Sequence, residues 1–221
     1  MTNRSERAKE ALMDAAEELI ATLGVQEASD RKICAKAGTA NHSSIRYHFG
    51  SHDEFLRALV LRHSPRISEL RATMVADLPA DPQVADYLKC LIEPSIASLR
   101  ELEPPSWRAR FLRQMRNHPA VTTTATEFSR EDPAAAALID QLTAALSHLP
   151  ADVVRGRSRL IHLLVTETCA DFESLVAASE NPVEWEVLAR FLADAAAGLI
   201  AAPSTPDAAL PPVQIDTVLS G

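Results

Sequence analysis

Apolar residues recur every three or four positions along nearly the whole chain, which is the spacing of amphipathic helices. Strand-like alternation bounded by turn signals is missing, and glycine is scarce. The first helix is predicted over about residues 5–23, with Ala8, Leu12 and Leu19 on one face, and it ends at Gly24. The pattern therefore predicts an all-α protein.

Two short helices follow the first. One begins at Ser29 as its N-cap and runs to Gly38. The next lies in the sequence NHSSIRYHF, where we expect Asn41 to be the N-cap and Gly50 to end the helix. Because only residues 38–40 separate them, the two helices are predicted to form a helix-turn-helix.

A fourth helix is predicted to bridge the N-terminal unit and the rest of the chain. Ser51 is its N-cap, and apolar positions continue through Phe55 and Ile67, so the helix is expected over residues 51–78. Pro65 lies inside this segment and predicts a bend.

Three pairs of an Asp or Asn followed by proline mark later helix starts. The side-chain oxygen caps the helix, and the missing N–H of proline costs nothing at the first helical position. The pairs are Asp81-Pro82, Asp132-Pro133 and Asn181-Pro182. The later amphipathic segments are predicted at about 82–101, 106–116, 119–129, 133–148, 151–179 and 182–202. Proline and small residues dominate residues 203–221, which predicts a disordered tail.

The net charge of −8 is unevenly distributed. Residues 1–63 hold nine Lys and Arg against nine Asp and Glu, so the excess of acid lies in the remainder, with 13 against 21. This distribution allows a polyanionic partner at the N-terminal part. A charged start without an apolar core, and no apolar run of membrane-spanning length, predict a cytoplasmic protein that does not interact with membranes.

The third helix has a polar outward face. Placed on a helical wheel, Ile45 and Phe49 define the inward side, Ser43 and Tyr47 lie nearly opposite, and Arg46 flanks them. Hydroxyl and guanidinium groups are those that bind base edges or phosphates. Two interpretations follow, a DNA-contacting helix or a solvated face on a helical bundle.

Over residues 8–63 the sequence resembles the N-terminal domain of the tetracycline-repressor (TetR) family of bacterial transcription regulators. The matching features, in order, are Leu23-Gly24, Ser29, Ile33, Ala37-Gly38, Tyr47-His48-Phe49, Gly50-Ser51 and Phe55-Leu56. Two features depart from the usual pattern. The segment from Thr39 to Phe49 is one residue longer than the commonest spacing, and His52 replaces the usual lysine.

The resemblance implies an N-terminal helix-turn-helix domain at residues 1–50 and a larger helical domain for ligand binding and dimerisation at residues 51–202. It also implies a homodimeric regulator, more often repressor than activator, which binds a palindromic double-stranded DNA operator at the nucleoid and is released by a small-molecule effector. The implied base contacts are Asn41, His42, Ser43 and Arg46, and the implied phosphate contacts are Ser29, Lys36, Tyr47 and His52.

The last two long helices correspond to the dimerisation helices of the resembled family. They carry apolar and small side chains that suit a four-helix interface between two subunits, and packing within one subunit is the alternative. The predicted interface residues are Leu160, Leu164, Leu175, Leu188, Phe191, Leu192, Ala195 and Leu199.

Bulky residues in the second half could line an effector pocket or belong to the core. They are Trp107, Phe111, Met115, Phe128, His162 and Phe172. A cluster of arginines could meet an anionic ligand or pair with acids. It consists of Arg108, Arg110, Arg113 and Arg116.

The sequence gives no sign of an enzyme. It lacks a Gly-rich phosphate loop and a nucleophile elbow, and Gly50-Ser51 separates His48 from His52, so no metal site or cofactor is predicted. The three widely spaced cysteines suggest neither a disulfide nor a zinc site. The alternative function is a helical ligand-binding or interaction protein without specific DNA recognition.

Overall fold

The computed structural model describes residues 2–39, 43–119, 131–178 and 184–205. Every regular element within these ranges is a helix and none is a strand, which confirms the all-α prediction. The helices are α1 (Thr2–Leu23), α2 (Asp30–Lys36), α3 (Ser44–Phe49), α4 (His52–Leu61), α5 (Ser64–Ala76), α6 (Val84–Arg100), α7 (Arg108–Met115), α8 (Pro133–Ala145), α9 (Ala151–Ala178) and α10 (Trp185–Ala201).

Several predictions concern residues outside these ranges. They are the segment after residue 119, the Asn181-Pro182 start and residues 206–221 of the tail. Over the described residues, no helix combines the length and the apolar character needed to cross a membrane.

Two hydrophobic clusters organise the chain. The first contains side chains of α1, α2, α3 and α4, together with Phe111 and Met115, two fully buried side chains of α7. The second is built mainly from α6, α8, α9 and α10. α4 contributes Phe55, Leu56 and Leu59 to the first cluster. The core of the N-terminal helices therefore includes residues beyond position 50, and the domain boundary at that position stays a prediction.

Local signals set most helix ends. The N-caps Ser29, Ser51 and Asp132 are confirmed, since each side chain accepts a hydrogen bond from the first turn of its helix. Gly24 and Gly50 follow α1 and α3 with φ of 85° and 88°, a left-handed conformation that favours glycine.

One predicted start is wrong. The helix assigned to Asp81-Pro82 begins later, with Gln83 as N-cap, because the Asp86 carboxylate accepts the Gln83 N–H at 2.9 Å and completes a capping box. In the described chain α3 begins at Ser44 with Ser43 at the N-cap position, and the predicted cap Asn41 lies outside the described residues.

The predicted bridging helix is two helices. α4 ends at Leu61, α5 begins at Ser64, and His63 is the N-cap residue between them. Pro65 lies in the first turn of α5, where its missing N–H is tolerated, and therefore marks a new helix instead of a bend.

A buried ionic cluster holds α5 against the second hydrophobic cluster. The Asp132 carboxylate is 4% exposed and pairs with Arg71, which is 5% exposed, while the Ser68 hydroxyl donates to it at 2.7 Å. The other Asp132 oxygen accepts the Ala134 and Ala135 N–H groups at 3.0 and 3.1 Å. One side chain thus caps α8 and anchors α5.

Replacing Asp132 with asparagine is expected to lower the free energy of unfolding by about 3 kcal/mol, because Arg71 stays buried without a counter-charge. Burial opposes ionisation, but hydrogen bonds from Ser68 and Ala135 and the Arg71 charge outweigh it, so the pKa of Asp132 is lowered. This stabilisation is present above the unfolded pKa of about 3.9 and is lost as the pH falls through the lower folded pKa.

Urea titrations between pH 3 and 7 measure this effect. The variant should show a flatter fall of stability below about pH 4 than the parent. Asp140→Asn, on the exposed face of the same helix, should stay within about 0.5 kcal/mol of the parent. Equal losses in the two variants would contradict the assigned role.

Candidate nucleic-acid interface

α2 and α3 are short helices positioned by their own end signals. The Ser29 hydroxyl accepts the Lys32 N–H at 3.5 Å at the start of α2. After α2, the Thr39 N–H and hydroxyl both donate to the Cys34 carbonyl, at 3.0 and 3.2 Å. This double contact turns the chain sharply at the end of α2, toward α3.

α3 is fixed to the first hydrophobic cluster by one face. Ile45 is 1% exposed, and the Phe49 ring packs against Phe55 with centroids 4.8 Å apart. The inward face predicted from the helical wheel is therefore confirmed. Its burial fixes which side chains α3 presents outward.

The outward face of α3 is polar and open. Ser43 and Arg46 are exposed, and Tyr47 is 80% exposed, the largest exposed fraction among the large apolar side chains of the described chain. Ser44, between these residues and Ile45 in the first turn, is buried. A hydroxyl, a guanidinium and a phenol therefore share one surface on a helix of six residues.

The other predicted contact residues lie around this surface. Lys36 pairs with Glu18 at 2.7 Å, and His52 Nδ1 lies 2.7 Å from Asp30 Oδ1 at the start of α2. These four side chains are exposed or near the limit of exposure, so their pairs are open to exchange with another anion or cation. Asn41 and His42 lie outside the described residues.

Arg108, the first residue of α7, links α7 to α1 and α4. Its guanidinium, 3% exposed as a residue, donates to the Leu59 and Val60 carbonyls at 2.6 and 2.7 Å and to Glu17 Oε1 at 3.0 Å. It thereby supplies donors to two carbonyls of the last turn of α4, where backbone partners within the helix run out. The Leu59 carbonyl also accepts the Arg62 N–H at 3.3 Å. Burial raises the pKa of Glu17, although Arg108 and Arg62 act in the opposite direction.

Each arginine of the predicted cluster forms an ion pair with an acidic residue of the chain itself. The pairs are Arg108 with Glu17, Arg110 with Glu173, Arg113 with Asp171, and Arg116 with Glu167. The last three acids lie on α9. Of the two alternatives drawn from the sequence, the structure therefore favours pairing with acids.

Glu173 was not identified from the sequence. Its carboxylate is 2% exposed and accepts the Ala109 and Arg110 N–H groups, both at 3.0 Å, and the Ser106 hydroxyl at 2.7 Å. A side chain of α9 thus caps the N-terminus of α7. No local pattern marks this role, because the partners are more than 60 residues apart in sequence.

The predicted pocket residues are not gathered around one cavity. Phe111 and Met115 are fully buried in the first cluster, whereas Phe172 meets Trp185 edge to face, with ring centroids 4.8 Å apart, in the second. His162 is exposed, and Phe128 lies outside the described residues. Trp107 lines a cleft, which has a volume of about 570 Å³ and lies between α1, the α4–α5 junction and the α6–α7 loop.

Part of the predicted dimer interface forms an exposed apolar stripe on α9 and α10. Leu160 and Leu175 are 52% and 62% exposed and Phe191 is 65% exposed, and Leu164 and Val187 are exposed on the same two helices. Leu188 and Leu192 instead lie in the core of the chain itself. Ala195 and Leu199 are half-buried.

No protein-family model and no curated protein matches this sequence. Solved structures do match. The multidrug-binding protein EbrR, crystallised with imidazole, is 18% identical over 89% of this chain and 97% of its own, with a TM-score of 0.42. A transcriptional regulator from Rhodococcus sp. Rha1 is 16% identical over 87% of this chain and 95% of its own, with a TM-score of 0.39.

Proposed function

We propose that this chain is a sequence-specific DNA-binding transcriptional regulator of the TetR type. It acts as a homodimeric repressor that binds a palindromic operator and is released by a small molecule. One observation carries the proposal, the outward face of α3, where Ser43, Arg46 and Tyr47 are exposed on a helix anchored by buried Ile45. Placed in the major groove, such a face offers donors and acceptors to base edges and phosphates.

A merely solvated face explains this surface less well. An aromatic side chain left 80% exposed keeps a large apolar area in water, and Tyr47 stands beside an arginine on the second helix of a helix-turn-helix. The resemblance of residues 8–63 to the TetR family supports the same interpretation. A helical ligand-binding or interaction protein without DNA recognition is the alternative, and it has little reason to keep these groups together.

The exposed stripe on α9 and α10 supports the homodimer. Leucines and a phenylalanine with half or more of their surface in water indicate a contact surface. Two-fold pairing of these helices would form a four-helix interface. To bind both halves of a palindrome, the two recognition helices of the dimer would have to lie about 34 Å apart, one turn of DNA.

The ligand response follows from this spacing. If an effector binds more tightly to the form in which the recognition helices have the wrong separation, it lowers DNA affinity by shifting the population toward that form. The size of the effect is limited by the difference between its affinities for the two forms.

Selection of bound sequences from a random DNA pool by the purified protein tests the function. We expect enrichment of a palindromic site whose affinity falls steeply with salt, because phosphate contacts release counterions. Enrichment of no sequence under several salt conditions would reject DNA recognition in favour of the interaction-protein alternative.

A second arm of the same experiment tests the dimer. Phe191→Glu places a charge within the exposed stripe, where burial against a partner would be costly. We expect this variant to be monomeric in light scattering and to lose preference for the full palindrome over a half-site. An unchanged dimer would place the interface elsewhere.

A further inference from the structure

A contact between His52 and Asp30 joins the helices that precede and follow α3. Asp30 is the first residue of α2, and His52 is the first residue of α4. His52 Nδ1 lies 2.7 Å from Asp30 Oδ1, and the side chains are each 42% exposed. The pair is therefore fixed in geometry and still open to solvent.

The Asp30 carboxylate determines where the imidazole carries its proton. An ionised carboxylate only accepts hydrogen bonds, so the proton between the two atoms belongs to Nδ1. In neutral His52 the other ring nitrogen, Nε2, then holds a lone pair, and it has no hydrogen bond or ion pair within the described chain. Neutral His52 thus has no N–H group left for a second acceptor.

A second proton changes what the pair offers to an anion. An imidazolium donates from both ring nitrogens, so Nε2–H becomes available while Nδ1–H stays on Asp30. The charge of the pair changes from negative to zero in this step. Histidine is the side chain that usually changes charge between pH 5 and 8, so the step falls within the ordinary working range of a protein.

Other charged or titratable groups lie on the same helix ends. They are Arg31 and Lys32 on α2, Arg46, Tyr47 and His48 on α3, and Asp53 and Glu54 on α4. Lys32 pairs with Glu27 at 3.0 Å, and Glu54 accepts the Ser51 hydroxyl at 3.1 Å. Within the described chain none of them forms a hydrogen bond with the His52 ring, so Asp30 sets its tautomer.

The pair lies on the part of a helix-turn-helix that meets the DNA backbone. The second helix of such a motif enters the major groove, and the first helix crosses the backbone. α2 is the first helix here, and Asp30 begins it. A carboxylate in this place repels a phosphate, whereas a charged N–H donor beside it attracts one.

We propose that His52 contacts a DNA phosphate only as an imidazolium, so that DNA binding takes up as much as one proton per subunit from solvent onto Nε2. Asp30 imposes this requirement, because it occupies Nδ1 and adds a negative charge. The coupling makes DNA affinity fall as the pH rises. It rests on the proposed function, because it concerns the same DNA-contacting surface.

Affinity for the selected DNA site between pH 6 and 8, measured by fluorescence anisotropy at fixed salt concentration, tests the coupling. We expect affinity to fall about tenfold or more over this range, because each subunit must bind a proton to make the contact. The salt dependence should also be steeper at pH 6, by about one released counterion for each imidazolium that neutralises a phosphate.

Variants of His52 connect the pH dependence to this side chain. His52→Lys keeps a positive charge throughout the range, so it should bind at pH 8 about as tightly as the parent does at pH 6. His52→Gln should bind weakly at both pH values. His148→Gln, at an exposed position after α8, is the matched control and should keep the full decrease.

Asp30→Asn tests the second half of the pair. The variant removes the negative charge and allows neutral His52 to place its proton on Nε2. We expect it to bind DNA more tightly than the parent at pH 8, by about threefold or more, as one charge beside a phosphate would give. Weaker binding at pH 8 would show that Asp30 supports the contact with DNA and would overturn its assigned role.

Two other results would overturn the coupling and leave the proposed function intact. The first is a parent affinity that does not change between pH 6 and 8 at a selected site. The second is a decrease in His52→Lys as large as that of the parent, which would place the titrating group elsewhere.

The tautomer is measured on the free protein and needs no DNA. Two-bond proton–nitrogen correlation spectra distinguish an imidazole protonated on Nδ1 from one protonated on Nε2, and the signal missing from His52→Gln assigns the ring. At pH 8 we expect the Nδ1–H form in the parent and a larger share of the Nε2–H form in Asp30→Asn. A parent ring protonated on Nε2 would overturn the inference. Failure to select any DNA site would reject the proposed function and the phosphate contact with it, whereas these spectra would still decide the Asp30 hydrogen bond.

Discussion

Replacement of Arg46 and Tyr47 by alanine is expected to abolish specific DNA binding and to leave the folded dimer unchanged. An arginine that forms a bidentate contact with guanine contributes about 1 to 3 kcal/mol of discrimination, and the dimer makes this contact in both half-sites. We therefore expect affinity for the selected site to fall about 100-fold or more, measured by fluorescence anisotropy at fixed salt concentration. Both side chains are exposed, so stability should change by less than about 0.5 kcal/mol each.

Arg159→Ala is the matched control, because it removes one exposed positive charge from α9, far from α3 in sequence. Its affinity should equal that of the parent within about twofold, the size of a small nonspecific charge effect. If the double variant kept full specific affinity, the outward face of α3 would not be the DNA-contacting surface.

Replacement of Arg108 by methionine is expected to lower the free energy of unfolding more than replacement of any other arginine of α7. Methionine fills a similar volume, but it leaves Glu17 with a weaker counter-charge and removes the side-chain donor from the Leu59 and Val60 carbonyls. The Leu59 carbonyl keeps only the Arg62 N–H, at 3.3 Å. Removing one member of a buried ion pair costs about 3 to 5 kcal/mol. We expect urea denaturation to report a loss of about 4 kcal/mol.

Arg113→Met provides the comparison on the same helix. Arg113 pairs with Asp171, whose side chain is largely exposed, and such pairs contribute about 1 kcal/mol or less. The double variant Arg108→Met with Glu17→Met should recover part of the loss, because the unpaired buried carboxylate is removed. Similar losses in the two single variants would show that the Arg108 network contributes no more than a surface pair.

Features that depend on a few neighbouring residues could be predicted from the sequence. Ser29, Ser51 and Asp132 are confirmed as N-caps, and Gly24 and Gly50 as helix ends. Each depends on a contact within about four residues, which is the range of capping interactions. The polar face of α3 was predictable for the same reason.

Features that depend on competition between nearby signals were predicted less well. Two signals for the start of α6 lie close together: the Asp81-Pro82 pair, and Gln83 with Asp86 three residues later. The reciprocal hydrogen bonds between Gln83 and Asp86 set the observed start. Likewise, Pro65 is compatible with a bend or with a new helix. In the structure α4 ends at Leu61, and Arg108 donates to the Leu59 and Val60 carbonyls of its last turn, a contact from a distant part of the chain.

Contacts between distant parts of the chain could not be predicted at all. Arg108 and Glu17 are 91 positions apart, and Glu173 is 64 positions from the Ala109 N–H group that it binds. Helical periodicity indicates which face of a segment is polar, but it does not indicate which acid meets which base. The cleft beside Trp107 depends on the same long-range packing.

The cap that Glu173 places on α7 has a consequence for synthesis on the ribosome. α7 is only eight residues long, and so short a helix is not stable alone in water. Its Phe111 and Met115 complete the first hydrophobic cluster, yet its N-terminal cap is supplied from α9. The first hydrophobic cluster therefore has α1 to α4 early but is completed only after residue 173 has been added, so a nascent chain gains the finished support of α3 late in translation.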